Sequence, residues 1–280
     1  MQEGSPAISH TEPDHHGRGA GARARELAPR SSLGDRLSMQ FVEVLTRDGI
    51  AEVTLSRPKV NAMNQAVLRQ LADVFQRLAE DDATRGVLVR GAGNCLSAGL
   101  DLREVASLDR EGLGSFLDDF DAAFGAAFRF PKPLAAAVHG HAIAGGLLLA
   151  MCADFLALGA GDYKVGLPEL AVGIAFPRVA FEIARTASPA RALRRLVFGA
   201  ELHSPASLFD MGVGDALSAE PLEEARRVLA TACGRPAAAF RLAKASLRRD
   251  AWERVAAQPP AEREALMDAL LSSKQAFLPA

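Results

Sequence analysis

The sequence predicts an α/β fold built around a mostly parallel sheet, followed by a helical last third. Three observations carry this expectation. Short runs rich in Val, Ile, Leu and Thr alternate with segments of helical spacing, two glycine clusters each lie between a strand and a helix, and the final stretch is almost all helical in pattern. Strands that alternate with helices imply right-handed crossovers and parallel pairing. With 280 residues, 49% hydrophobic and 24% charged, the chain can bury a large core and has the composition of a soluble globular protein.

Taken in order, residues 1–38 are rich in Gly, Pro, Ser, Arg and His and lack apolar periodicity, so they are expected to be a disordered tail. Met39 opens the first segment that reads as structure and is a candidate native start. Phe41–Thr46 and Ile50–Ser56 flank Arg47-Asp48-Gly49, a hairpin signal. Helical spacing in Val67, Leu68, Leu71, Val74, Phe75 and Leu78 follows. Gly86–Arg90 is a buried strand, and Gly91–Gly99 is a glycine-rich loop leading to a helix at Leu102–Ser107. Leu113–Phe130 is helical, with Phe116, Phe120, Phe124 and Phe128 at steps of four. Leu134–Val138 is a strand ahead of the second cluster, Gly140, Gly145 and Gly146. Strands at Phe155–Leu158 and Tyr163–Gly166 precede Leu167-Pro168-Glu169-Leu170. Ser204-Pro205 marks a capped helix start, and Glu223–Ala232, Pro236–Leu247 and Glu262–Phe277 are the last helices. Residues 39–200 are expected to form the core and 201–280 a helical region suited to assembly.

Composition excludes several classes. Net charge is −2, with no basic excess for nucleic acid or an anionic membrane. The longest uncharged apolar run, Ala142–Ala153, is too short to span a bilayer. Cys95, Cys152 and Cys233 form no CxxC pair and leave an odd thiol, so neither a zinc site nor a disulfide framework is indicated. There is no apolar signal core near residue 1, and a cytoplasmic location is expected.

Loops running from strand through glycine into helix present backbone N–H groups toward negative charge. Neither GxxxxGK[ST] nor GxGxxG is present. From spacing alone, an oxyanion hole built from two loops and plain close packing both remain open.

Several strings, in order, resemble the enoyl-CoA hydratase/isomerase (crotonase) superfamily: Val53–Asn64, its opening strand and turn; Leu96-Ser-Ala-Gly-Leu-Asp-Leu102, its first oxyanion loop; and Pro131–Gly146 followed by Asp154, its second. The resemblance runs from about Phe41 to Phe277. It implies a spiral of ββα units with a helical C-terminal region, assembly as a homotrimer or dimer of trimers, and an acyl-CoA thioester substrate, with coenzyme A entering as part of the substrate and no separate cofactor or metal. Carried over by position, the oxyanion donors are the N–H groups of Ala98 and Gly145. Ala62, Gly99, Leu100 and Asp101 line the CoA and pantetheine path, Asp101 being alternatively a helix cap. Lys59 is either beside a CoA phosphate or solvated.

The departure from the hydratase pattern is in the carboxylates. Hydratases of this superfamily carry two glutamates; here the first position is Leu148, on the acyl side of the site, and only Glu169 remains. Adding water across a double bond divides naturally between two carboxylates. Moving a double bond from C3=C4 to C2=C3 needs one base, which takes a proton from C2 and returns it to C4. Leu148 also dries the pocket, which should raise the Glu169 pKa. The expectation is therefore an isomerase with Glu169 as acid–base; the alternatives are a hydratase and a catalytically silent acyl-CoA binder. Asp118, Asp119 and Asp121 are candidates for a second acid. His139 and His141 share one strand face and are read as structural rather than metal ligands, and His15-His16 as part of the disordered tail rather than a metal site. Cys95 has no base paired with it in sequence.

Overall fold

A hairpin leads into the larger sheet. The computed structural model describes residues 36–274 and Met1, and the chain divides into two units between Ser32 and Leu33, with every described strand and helix in the second. Strands β2 (Val42–Arg47) and β3 (Ile50–Leu55) pair antiparallel across Asp48 and Gly49. Both turn residues have positive φ, 50° and 78°, as the tight turn matching strand twist requires. Ahead of them β1 (Arg36–Ser38) pairs antiparallel with β2. These three residues were expected to belong to the tail; residues 2–35, including His15-His16, lie outside the described residues.

Helix α1 (Gln65–Glu80) starts at Asn64, whose side chain accepts from the Val67 N–H at 3.0 Å. It buries the six apolar residues whose spacing predicts it. Three ββα units follow. The first is β4 (Gly86–Gly91), β5 (Cys95–Ser97), α2 (Leu102–Ser107) and α3 (Arg110–Phe128). The second is β6 (Leu134–Val138), β7 (His141–Ile143) and α4 (Gly145–Met151). The third is β8 (Phe155–Gly159), β9 (Val165–Gly166), a 3₁₀ turn at Glu169–Val172 and α5 (Arg178–Ala187). Each unit gives its first strand to one sheet and its second to another. The parallel series β3-β4-β6-β8 lies in the first sheet and β5-β7-β9 in the second, so the chain winds as the expected spiral.

The remainder comprises α6 (Ala190–Gly199), β10 (Leu202–His203), α7 (Pro205–Asp210), β11 (Ala216–Ser218), α8 (Pro221–Cys233), α9 (Ala237–Ala256) and α10 (Pro260–Ser273). Ser204 caps α7 with Pro205 at its first position, as predicted. Two short strands beyond residue 200 join the sheets. β10 pairs with β9 and β11 extends the larger sheet beside β8, so the C-terminal region completes both sheets. Runs of two and three residues are too short to show alternation in sequence.

β6 is buried at every position, which explains a continuous Leu-Ala-Ala-Ala-Val run without alternation. One face packs on the main core. On the other, Ala135 and Ala137 lie with Leu88 and Ala157 against Ala225 and Leu229 of α8. Helix α9 is longer than its apolar pattern indicates, because two charged residues point inward. Lys244 and Arg248 converge on the Asp154 carboxylate at 2.7 and 2.8 Å, and Asp154 also accepts the Leu134 N–H at 2.9 Å. No helix among the described residues is long and apolar enough to cross a membrane.

Candidate active site

Two loops, 91–101 and 139–146, meet along a seam without side chains. A Cβ on Gly140 would lie 1.9 Å from the Asn94 oxygen, and one on Gly146 2.1 Å from the Ser97 oxygen, distances no side chain tolerates. Gly99 has φ +91°, and a Cβ there would stand 2.8 Å from Ala144 Cβ and 3.3 Å from the Gly145 nitrogen. Close packing and positive φ together require these glycines.

The backbone hydrogen bonds identify which N–H groups are available. The Ala98 N–H, expected as the first oxyanion donor, is engaged by the Val60 carbonyl at 3.0 Å and is not free. The Gly99 N–H donates to Ser97 Oγ at 3.0 Å. The Gly99 carbonyl and the Asp101 N–H both bond Met63, at 2.8 and 2.9 Å. Leu100, between them, therefore points its N–H the opposite way, and it has no acceptor among the described residues. The Gly145 N–H, first in α4 and without a side-chain cap, likewise has none. Two free donors thus stand on adjoining backbone segments.

Both border a cavity of about 210 Å³ whose walls include Ala98, Leu100, Phe120, Ile143, Gly145, Leu148, Glu169, Phe176 and Ala180. Glu169 is the one ionisable residue among the lining residues. It opens the 3₁₀ turn, which Gly173 ends in the left-handed region at φ 73°, and its carbonyl accepts the Ile174 N–H at 2.8 Å. The residue is buried at 6% exposure, and Oε2 has no hydrogen-bond partner among the described residues. Burial pushes its pKa from 4.5 up to about 7. Leu148, 2% exposed, lies in the same wall. An acid–base group poised near neutrality, in an apolar chamber beside two unsatisfied donors, suits proton transfer next to a carbonyl.

The other candidates are placed as follows. Ala62 offers its carbonyl to Arg57 at 2.9 Å. Asp101 caps α2 through the Arg103 and Glu104 N–H groups and pairs with Arg57 at 2.7 Å. Burial works against that carboxylate, but Arg57 and the helix N–H groups outweigh it and hold the pKa below the usual range. Neither residue, nor Gly99, is in the cavity wall; Lys59 is exposed. Asp118 and Asp121 pair with Arg263, and Asp119 with Arg69, while their neighbour Phe120 faces the cavity. His139 Nε2 lies 2.9 Å from the Gly93 carbonyl, and His141 Nδ1 accepts the Lys164 N–H at 3.0 Å. Burial raises the Cys95 thiol to about 11, which makes it a poor nucleophile. A larger cleft, about 750 Å³, runs along α5 and α9, but its buried charges Asp154, Lys244 and Arg248 are tied to one another.

Sequence reasoning passed over Asn61. It is buried, with φ 52°, and its amide donates to the Ala92 and Cys95 carbonyls at 3.1 and 2.7 Å while accepting the Arg57 N–H at 2.9 Å. It thereby anchors the first loop. An asparagine just past Arg57-Pro58, where strand β3 has ended, was the available signal.

Comparison with known proteins agrees with this architecture. The enoyl-CoA hydratase/isomerase family profile matches residues 46–276. A probable enoyl-CoA hydratase from Bacillus subtilis is 32% identical over 198 residues, covering 69% of this chain and 76% of that protein. Carnitinyl-CoA dehydratase from Escherichia coli K12 is 38% identical over 136 residues, 46% of this chain and only half of that protein's length. Human mitochondrial delta3-delta2-enoyl-CoA isomerase has the same fold, with TM-score 0.78 at 24% identity over 85% of this chain and 95% of that one. A match of this extent, on a spiral of ββα units, makes the chain a member of the enoyl-CoA hydratase/isomerase family.

Proposed function

We propose that this enzyme moves the double bond of a 3-enoyl-CoA to the 2-enoyl position, with Glu169 as its single acid–base. The observation that carries the reading is that Glu169 is the one ionisable residue lining the cavity, where a hydratase-like pair would need a second carboxylate at Leu148.

The thioester carbonyl oxygen is received by the N–H groups of Leu100 and Gly145. The Glu169 carboxylate removes a proton from C2, and the electron pair passes to the thioester oxygen as a dienolate. The two N–H donors stabilise that charge, and losing one such donor typically costs about 2.7–4 kcal/mol. Glu169 then returns the proton to C4, and the electrons relocate to C2=C3. No water is consumed. A pKa of about 7 fits both half-reactions, because the group must be base first and acid afterwards. The apolar walls keep water from competing for the dienolate.

The same reading places the enzyme in the cytoplasm, as a trimer or dimer of trimers joined through its C-terminal region. A paired turnover assay on wild type and Glu169→Gln, with a trans-3-enoyl-CoA and a trans-2-enoyl-CoA, tests the chemistry. Formation of the conjugated 2-enoyl thioester, with little hydration and loss of activity in the variant, supports it. Efficient hydration by the wild type refutes it. Binding without turnover of either substrate would make the protein an acyl-CoA binder.

A further inference from the structure

Helix α10 touches three walls of the acyl cavity from outside, yet none of its own residues lines the cavity. Its Arg263 guanidinium bonds Asp121 at 2.8 Å and also bonds Asp118, which bracket Phe120 on α3. Its Glu262 pairs with Arg178, the residue after the lining Pro177 at the head of α5. Its far end lies on the turn that carries Glu169: a Cβ on Gly173 would stand 3.2 Å from Ser273 Oγ. Buried Leu266, Met267 and Leu270 seat the helix.

Most ion pairs at a surface contribute little. Arg110 with Glu264 and Asp268 is such a set, with side chains at least half exposed. Arg263 differs. It is 27% exposed, serves two carboxylates one helical turn apart, and one of these, Asp121, is only 34% exposed. Without a cation between them, two acids at i and i+3 repel along the helix that carries Phe120. Phe120 in turn stacks on Phe124 at 4.2 Å, so a shift of α3 moves a packed aromatic wall as a unit.

We infer that α10 is a clamp on the acyl cavity and that Arg263 is a positioning residue which sets the width between the Phe120 wall and the Glu169 turn, and so the acyl groups admitted. The selectivity half of this inference rests on the acyl-CoA reading above; the mechanical half does not. Arg263→Leu keeps the aliphatic stem and removes the cation, and Arg263→Lys keeps one charge without the fork.

The test uses the full chain and two readouts. Amide hydrogen exchange should rise at least tenfold at 116–121 and 170–176 in Arg263→Leu, less in Arg263→Lys, and stay unchanged in α8. Dissociation constants for butanoyl-, octanoyl- and dodecanoyl-CoA should lose their discrimination, the ratio of dodecanoyl to butanoyl changing at least fivefold while free CoA binds as before. A uniform rise in exchange with unchanged affinity ratios means that Arg263 is merely structural, and overturns the inference. Altered exchange in a protein that binds no acyl-CoA leaves the clamp standing and refutes the proposed function instead. If Arg263→Leu does not fold, Asp118→Asn/Asp121→Asn removes the same bridge from the other side and must reproduce the exchange pattern; failure to do so overturns the clamp.

Discussion

Replacing Glu169 by glutamine should raise folding stability at alkaline pH while abolishing turnover. Glu169 is 6% exposed, and burial lifts its pKa from 4.5 to about 7. A folded pKa above the unfolded one means that the folded state holds its proton longer. The carboxyl therefore costs nothing below about pH 4.5. Its cost grows by about 1.36 kcal/mol per pH unit up to about 7 and then levels off, for a total of roughly 3 kcal/mol. Glutamine cannot ionise, so it escapes this cost, and any loss from seating its amide is constant with pH. Urea unfolding of both proteins at fixed concentration, from pH 4 to pH 9, isolates the slope. The stability of Glu169→Gln relative to wild type should climb between pH 4.5 and 7 and plateau above. A difference that is flat across the range would refute the argument, because the carboxyl would then be solvated or paired in the folded protein.

Further outcomes are expected from the same geometry. kcat/KM for a 3-enoyl-CoA should rise with pH through about 7, as the base form of Glu169 accumulates, and a pH–rate profile of the wild type checks it. Leu148→Glu should raise hydration of a 2-enoyl-CoA at least tenfold while lowering stability by roughly 2–7 kcal/mol for burying a carboxyl in place of leucine, measured by turnover and denaturant midpoint. Gly146→Ala forces a Cβ against the Ser97 carbonyl and should cost about 1–3 kcal/mol or more and most of the activity. Asp154→Ala strands Lys244 and Arg248 in the interior and should cost about 3–5 kcal/mol, lowering Tm with Glu169 untouched.

What the sequence revealed depended on how much chemistry each residue carries locally. The Asp48-Gly49 turn, the apolar face of α1 and the Ser204-Pro205 cap are each decided by neighbours in the chain, and each was readable. Glu169, which the structure puts in the cavity wall, stood out because its Pro-Glu segment lies in a resembling frame. Which N–H of the first loop is left free was not readable, because Ala98 and Leu100 are two residues apart in one loop and only the partner of each N–H tells them apart. That partner, Val60, lies in a distant turn. The same limit hid the inward charges of α9: Lys244 and Arg248 look like a solvated stripe until Asp154, ninety residues earlier, is seen beside them. Strands β5, β7, β10 and β11, two or three residues each, exist only through their pairing.

The glycine seam has a bearing on how this enzyme's relatives could diverge and how it should be probed. The two free N–H groups belong to the main chain, held by glycines that admit no replacement, whereas Leu100, Ile143, Leu148 and Phe176 furnish the surface of the cavity. On the proposed function, changing those side chains should alter which acyl group fits without disturbing the two N–H groups that receive its carbonyl. Alanine scanning of the chamber would report on Glu169 and on fit, and would stay silent about the two N–H groups, which every alanine still carries.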